Sequence, residues 1–270
     1  MNPISAQNPL QFAATITAQF VREAAVKLGH YDLSQITALD VGCGEGQIAC
    51  ELGKLGLKTI AIDGNGESID KARALGVDAR ETLLANFEHE PFELIYVSRA
   101  LHHMPPLAET LAKLNAMLSE DGILVIDDFC RELFQLPESA WLLDCLQRIR
   151  AKSSASDPIN VAEKLDHPRH KWLISSQKAE EILHNWHHHH DDKHKLLTGK
   201  EMQEGLEQQF SIARIEAVPC LFRFLCDFLP ATTSGTIDAA AFHQEEIEKI
   251  KTEQVTAIGL RMVLQKRTKK

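Results

Sequence analysis

The chain has 270 residues, of which 44% are hydrophobic and 25% are charged, so we expect one large globular domain or a core domain with an insertion. Its formal net charge of −9 argues against a nucleic-acid partner, because proteins bind the phosphate backbone largely through lysine and arginine. We find no secretion signal and no apolar run near the roughly 20 residues of a membrane helix, so we expect a cytoplasmic protein without a membrane partner.

Helices and strands alternate along the first half of the sequence. Apolar spacing predicts helices at residues 10–28, 46–56, 67–76 and 107–122. Short apolar segments predict strands at residues 37–41, 58–63, 77–80, 92–98 and 123–129. This alternation predicts a parallel sheet that is covered by helices on both faces.

The pattern changes after the fifth strand. We therefore predict a core at residues 1–129, a mainly helical insertion or substrate lid at 130–209, and two closing strands within 210–270. The closing strands are predicted at 210–218 and 256–266, with a helix between them at 235–255.

Residues 38–46 read ALDVGCGEG, a strand followed by glycines at alternate positions. Such a turn lies at the carboxyl edge of a parallel sheet, where open α/β sheets bind ligands. The dinucleotide fingerprint GxGxxG requires glycine at position 47, which is Gln47 here. Asp40 would repel a pyrophosphate but suits the amino group and sulfonium of S-adenosylmethionine. Asp63, which ends the second strand, can accept hydrogen bonds from ribose hydroxyls in either ligand class.

The segments DVGCGEG, AIDGN, FELIYVSRALHHM and LSEDGILVIDDF resemble the class I S-adenosylmethionine-dependent methyltransferases, in the small-molecule branch called type 11 or type 12. The resemblance covers about residues 35–130. It implies a doubly wound, Rossmann-like α/β fold with a seven-stranded, mostly parallel sheet of order 3-2-1-4-5-7-6, strand seven being antiparallel. It also implies S-adenosylmethionine as the cofactor and S-adenosylhomocysteine as the product.

The resemblance further implies roles for individual residues. The cofactor-binding residues that it implies are Asp40, Gly42, Cys43, Gly44, Asp63, Gly64, Asn86, Phe87, Ser98 and Arg99. Among them, Asn86 would accept a hydrogen bond from the adenine amino group and Phe87 would cover the ring. The family usually has an acid at the position of Asn86.

His102 and His103 follow the fourth strand, so either of them is a candidate general base for the methyl acceptor. The alternative is that the pair only caps the strand and packs on the next helix. The sequence HHMPP differs from the Asn-Pro-Pro-aromatic motif, which argues against DNA, RNA and glutamine as acceptors. Asp127 and Asp128 are predicted to be a solvated or capping pair rather than a substrate or metal site.

Two later segments leave alternatives open. The histidine-rich segment 184–194 is interpreted as part of a substrate lid, ahead of a solvated helix end and of a metal site formed by His187, His190 and His194. Arg223 lies in the apolar stretch VPCLFRFLCDFLP. We expect it on a half-buried strand with its side chain exposed, and the alternative is contact with a substrate carboxylate.

These observations predict a methyltransferase that acts on oxygen, nitrogen or carbon of a small organic molecule, as a monomer or a homodimer. One alternative is a methyltransferase-like binding or metal-responsive protein without turnover. Another is a nicotinamide-dependent oxidoreductase, which Asp40 and Gln47 oppose.

Overall fold

The computed structural model describes residues 8–27, 29, 32–152, 173, 176–193 and 196–267, with the backbone alone at 192 and 193. The strands are β1 (Thr37–Val41), β2 (Lys58–Asp63), β3 (Asp78–Glu81), β4 (Phe92–Ser98), β5 (Leu118–Phe129), β6 (Phe210–Val218) and β7 (Gly259–Lys266). The helices are α1 (Pro9–Lys27), α2 (Gln47–Lys54), α3 (Gly66–Ala74), α4 (Leu107–Met117), α5 (Leu136–Lys152), α6 (Ala179–His187), α7 (Gly199–Gln209), α8 (Phe222–Cys226) and α9 (Thr233–Lys251).

The seven strands form one sheet in the order β3-β2-β1-β4-β5-β7-β6. The strands are parallel except β7, which runs antiparallel to both β5 and β6. The predicted order and the antiparallel seventh strand are therefore confirmed. The central strands read as nearly continuous apolar runs because apolar clusters cover both faces of the sheet, one around Leu39 and Ile95 and another around Leu94 and Tyr96.

The helix predicted at 107–122 is shorter than expected. α4 ends at Met117, and Leu118 is already extended and pairs with Phe92 of β4. Helix α4 buries Leu111, Leu114 and Met117, whereas residues 119–122, SEDG, have no apolar side chain to continue that face. The chain therefore enters β5 five residues earlier than predicted at 123.

The strand expected around Arg223 is wrong, since this residue lies on the short helix α8. The carboxylate of Glu246 accepts the backbone N–H groups of Cys220, Leu221 and Phe222 at 2.7–2.9 Å, which fixes the start of this turn. Arg223 is 4% exposed, so the expected exposed arginine is wrong as well.

The prediction of a solvated pair at the end of β5 is also wrong. Asp127 and Asp128 are 4% and 1% exposed. Each carboxylate is bound by side chains from other parts of the chain, which is how buried charged groups are stabilised in proteins. Among the described residues, no helix combines the length and the apolar character that a membrane crossing requires.

Candidate active site

A cavity of about 720 Å³ opens at the carboxyl ends of β1, β2, β4 and β5. One wall consists of the glycine turn after β1 and the end of β2, and the other of α1, the end of β5, α8 and the histidine-rich segment. This is the sheet edge at which the sequence predicted a ligand.

The glycines of the turn have different roles. Gly42 has a φ angle of +72°, and a Cβ atom on it would lie 2.4 Å from the Cβ of Ala100. Gly46 has a φ angle of +78° and is equally crowded by Ala72, at 2.7 Å. Gly44 also has positive φ, but a Cβ atom there would meet nothing within 4 Å. Gly42 and Gly46 thus let the turn pack, while Gly44 leaves its backbone open to the cavity.

Asp63 ends β2 beside this turn. Its Oδ2 accepts the backbone N–H of Gly44 and its Oδ1 accepts that of Asn65, both at 2.9 Å. An ionised carboxylate offers about four lone-pair positions, so about two remain for donors from a ligand. Asp63 therefore fixes the turn and can still accept two hydroxyl groups.

Asp40 is 1% exposed and lines the cavity, yet neither carboxylate oxygen has a hydrogen-bond partner among the described residues. Burial raises the pKa of Asp40 to about 8. The nearby Tyr96 hydroxyl has the opposite effect on this pKa, although the two groups do not meet hydrogen-bond geometry. An orphaned buried carboxyl group fits a ligand that carries a positive charge or strong donors.

His102 and Asp128 form a buried pair in the same cavity wall. Nδ1 of His102 lies 2.6 Å from Oδ1 of Asp128, and their side chains are 5% and 0% exposed. The carboxylate also accepts the backbone N–H of Phe129 at 2.9 Å. Because an ionised carboxylate only accepts, the hydrogen-bond network assigns a proton to Nδ1, so that Nε2 is the basic nitrogen in the singly protonated tautomer.

The histidine-rich segment is attached directly to this pair. After α6, residues His188–Lys193 form a π-helical turn, and the N–H of Leu197 donates to the backbone carbonyl of His102 at 3.0 Å. Arg131 holds the segment by donating to the carbonyl of Leu196 at 2.8 Å and by pairing with Asp191.

Part of the segment is buried, unlike the alternative of a fully solvated helix end, and the alternative of a three-histidine metal site includes a residue that the structure does not describe. Trp186 and His190 are 1% and 5% exposed. His187 bonds Asp191 at 2.9 Å, Nδ1 of His190 donates to the Trp186 carbonyl at 2.8 Å, and His194 lies outside the described residues. Burial lowers the pKa of His190 to about 3, so this ring is neutral.

The structure brings most of the predicted site residues together. Those that line the cavity are Asp40, Gly42, Cys43, Gly44, Asp63, Gly64, Ser98, Arg99, His102 and His103. Asn86 is exposed and Phe87 is buried against Phe92, and neither lines the cavity. Thr82, Leu83 and Leu84 line it instead. Burial raises the pKa of the Cys43 thiol, which argues against a nucleophilic role.

Several lining residues have no local signal in the sequence. Phe129, Phe224 and Arg223 lie at the cavity, and Asp128 stands behind it. The sequence drew attention to Arg223 and to the two adjacent aspartates only as alternatives, because their burial depends on residues far away in the chain.

Comparison with known proteins agrees with this geometry. A family model described as a methyltransferase domain matches residues 13–209. The ubiquinone biosynthesis O-methyltransferase of Rhodopseudomonas palustris strain HaA2 is 26% identical over 139 residues, covering 47% of this chain and 53% of that protein. The enzyme of the same name from Actinobacillus pleuropneumoniae serotype 7 is 31% identical over 108 residues, covering 35% and 46%. The chain thus spans about half the length of the curated relatives it matches.

Solved structures share the fold over nearly the whole chain. The plantazolicin methyltransferase BpumL, in complex with a triazolic desmethyl analogue and S-adenosylhomocysteine, has a TM-score of 0.53 at 17% identity and covers 96% of this chain and 86% of its own. A protein described as a putative sarcosine dimethylglycine methyltransferase from Galdieria sulphuraria has a TM-score of 0.53 at 11% identity, covering 92% and 84%.

Proposed function

The chain belongs to the class I S-adenosylmethionine-dependent methyltransferases, and we propose that it methylates a hydroxyl group of a small organic molecule, with His102 as general base. When bound, S-adenosylmethionine supplies a methyl group on a sulfonium leaving group. The observation that carries the proposal is the buried contact of 2.6 Å between His102 and Asp128 at the cavity. The relatives that are ubiquinone biosynthesis O-methyltransferases support oxygen as the acceptor atom.

The cavity wall around the glycine turn fits the cofactor. We assign the ribose hydroxyls to Asp63, whose two oxygens keep free acceptor positions, and the positive amino group to Asp40. The backbone of Gly44, which is open to the cavity, would border the amino-acid part of the cofactor. We place the adenine beside Leu83 and Gly64, since both line the cavity next to the ribose-binding candidate Asp63.

Methyl transfer mainly requires that the nucleophile be aligned with the methyl group and deprotonated. Asp128 holds the ring of His102 in one orientation and one tautomer, so that Nε2 is the nitrogen that takes the proton of the acceptor. Phe129 packs against the ring, with the centroids 4.7 Å apart, and restricts its rotation. These residues thus prepare the acceptor without a covalent intermediate.

The base assignment is tested by kinetics. Phenols and catechols are screened with S-adenosylmethionine, with S-adenosylhomocysteine formation as the readout, and the best acceptor is used for variants. We expect His102→Gln to lower kcat by about 10²- to 10⁴-fold, the usual contribution of general base catalysis. Asp128→Asn should lower kcat as well, because an amide no longer fixes the tautomer.

His103→Gln is the discriminating comparison, since this ring lies 4.2 Å from that of His102 without the bond to Asp128. We expect its kcat to stay close to that of the parent. An unchanged kcat in His102→Gln, or an equal loss in His103→Gln, would contradict the assignment. Binding of S-adenosylhomocysteine without any methylated product would favour the alternative of a binding protein without turnover.

A further inference from the structure

A buried charge cluster stands behind the acceptor side of the cavity. Oδ2 of Asp127 accepts from Thr17 Oγ1 at 2.7 Å and from Arg223 Nη2 at 3.0 Å, and Oδ1 accepts from Arg261 Nε at 3.0 Å. Arg223 Nη2 also donates to the Thr17 hydroxyl at 2.8 Å. One carboxylate therefore serves two guanidinium groups.

Arg223 is only partly satisfied by this cluster. A guanidinium has five N–H donors, and both hydrogen bonds of Arg223 use Nη2. Within the described part of the chain, Nε and Nη1 make no hydrogen bond, although the side chain is 4% exposed and lines the cavity. These donors are accessible from the cavity rather than enclosed in the interior, so they can bind an anionic ligand group.

Two carboxylates near this guanidinium are also engaged by other side chains. Asp127 is shared with Arg261, and Asp128 is bound by His102. The carboxylate of Asp227 also lines the cavity. The guanidinium of Arg99 adds a second positive charge to the lining.

Arg223 lies in the part of the cavity lining that is supplied by α1, β5 and α8. Phe129 and Phe224 stand beside it, with ring centroids 5.9 Å apart at 85°, and Leu10 and Ala13 of α1 complete an apolar surface. These residues lie on α1, β5 and α8, whereas the orphaned Asp40 and the ribose-binding candidate Asp63 end β1 and β2. An acceptor here can therefore contact flat apolar rings and the guanidinium of Arg223.

We propose that Arg223 binds a carboxylate of the methyl acceptor, which makes the substrate a small organic acid with a planar apolar body. This inference rests on the proposed function. Asp127 and Asp128 are adjacent at the end of β5. Asp127 binds Arg223, and Asp128 binds His102, so one strand end positions both groups that we assign to the acceptor. The carboxylate and the reacting hydroxyl are thereby positioned from one rigid strand end.

The cofactor itself carries a carboxylate, which is the other source of the same chemistry. We assign that group to Arg99, which follows Ser98 at the end of β4 with a φ angle of +50° and whose guanidinium makes no hydrogen bond or ion pair within the described residues. Titration with S-adenosylhomocysteine separates the sources. We expect Arg223→Gln to bind it within threefold of the parent. A tenfold or greater loss of affinity for S-adenosylhomocysteine would mean that Arg223 binds the cofactor carboxylate and would overturn the proposal.

The acceptor is probed with hydroxybenzoic acids, each paired with its carboxamide, titrated calorimetrically into protein saturated with S-adenosylhomocysteine. We expect at least one acid to bind about 10- to 100-fold more tightly than its amide, the usual effect of a charged hydrogen bond. This preference should disappear in Arg223→Gln. Absence of any preference in the parent, or its survival in Arg223→Gln, would overturn the proposal.

Two further variants distinguish a lost binding contact from a general destabilisation of the protein. Arg261→Gln removes the other guanidinium from the same carboxylate without altering the cavity lining, so the preference for the acid should remain. Arg223→Lys keeps a positive charge beside Asp127 but removes the planar fork, and we expect about tenfold weaker binding of the acid. If the parent fails to bind S-adenosylhomocysteine, the proposed function fails. If it binds but prefers no acid, only the present inference fails.

Discussion

Asp40 is a residue whose protonation state we expect to change when the cofactor binds. Its carboxyl group is buried beside the glycine turn without a hydrogen-bond partner in the described structure, and burial raises its pKa to about 8. At neutral pH the free protein therefore holds this group mainly as the neutral acid. An ammonium group placed against it would favour the ionised form and lower the pKa.

Cofactor binding should accordingly release a proton. We expect titration of S-adenosylhomocysteine at pH 7, in buffers of different ionisation enthalpy, to show release approaching one proton per molecule bound. Asp40→Asn removes the titrating group and should abolish the release, while the exposed Asp70→Asn on α3 should retain it. Equal proton release in the parent and in Asp40→Asn would show that the cofactor does not ionise this residue.

At the scale of elements, the end of β5 organises the site. Asp127 joins β5 to α1 through Thr17, to α8 through Arg223 and to β7 through Arg261. Burial alone would raise the pKa of Asp127, but the two guanidinium groups outweigh it and lower the pKa to about 2. The ionised form is thus the one that stabilises the fold.

Removing this charge should destabilise the protein in a pH-dependent way. We expect Asp127→Asn to lower the free energy of unfolding by about 3–5 kcal/mol at pH 7, since two buried guanidinium groups lose their counter-ion. Because the folded pKa is depressed, the stabilisation is present above the unfolded value near 3.8 and is lost as the pH falls through about 2.

Urea denaturation at pH 7 and at pH 3 measures this difference. The gap between Asp127→Asn and the parent should narrow at the lower pH, whereas Asp121→Asn, an exposed acid on the same strand, should match the parent at both. A gap that does not change with pH would mean that the charge of Asp127 contributes nothing and that only its packing matters.

Elements that depend on neighbouring residues could be predicted from the sequence, whereas elements that depend on distant contacts could not. The glycine turn and the acids that end β1 and β2 are local features, because strand, turn and acid are adjacent in the sequence. The apolar stretch around Arg223 has no clear period, and its helix depends on Glu246, which lies 24 residues or more away from the N–H groups it binds. Such a tertiary contact leaves no pattern in a short window.

At the scale of the whole molecule, the sheet order followed from the family resemblance, whereas the acceptor wall did not. Thr17 and Arg223 are 206 residues apart and meet only when α1 and α8 pack at the end of β5. The cavity lining therefore consists of two groups of residues with different origins in the sequence. One side consists of sequence-adjacent glycines and acids that we assign to the cofactor, and the other consists of side chains gathered from distant segments that we assign to the acceptor.

The central claim is that this cavity binds the cofactor of a methyltransferase, and calorimetric titration with S-adenosylhomocysteine tests it most directly. We predict binding in the micromolar range that weakens by about 10- to 100-fold or more in Asp63→Ala, since charged hydrogen bonds of about 1.5–3 kcal/mol are lost. Asp70→Ala, an exposed acid nearby on α3, should bind like the parent. Absence of binding by the folded parent protein, or undiminished binding by Asp63→Ala, would contradict the account.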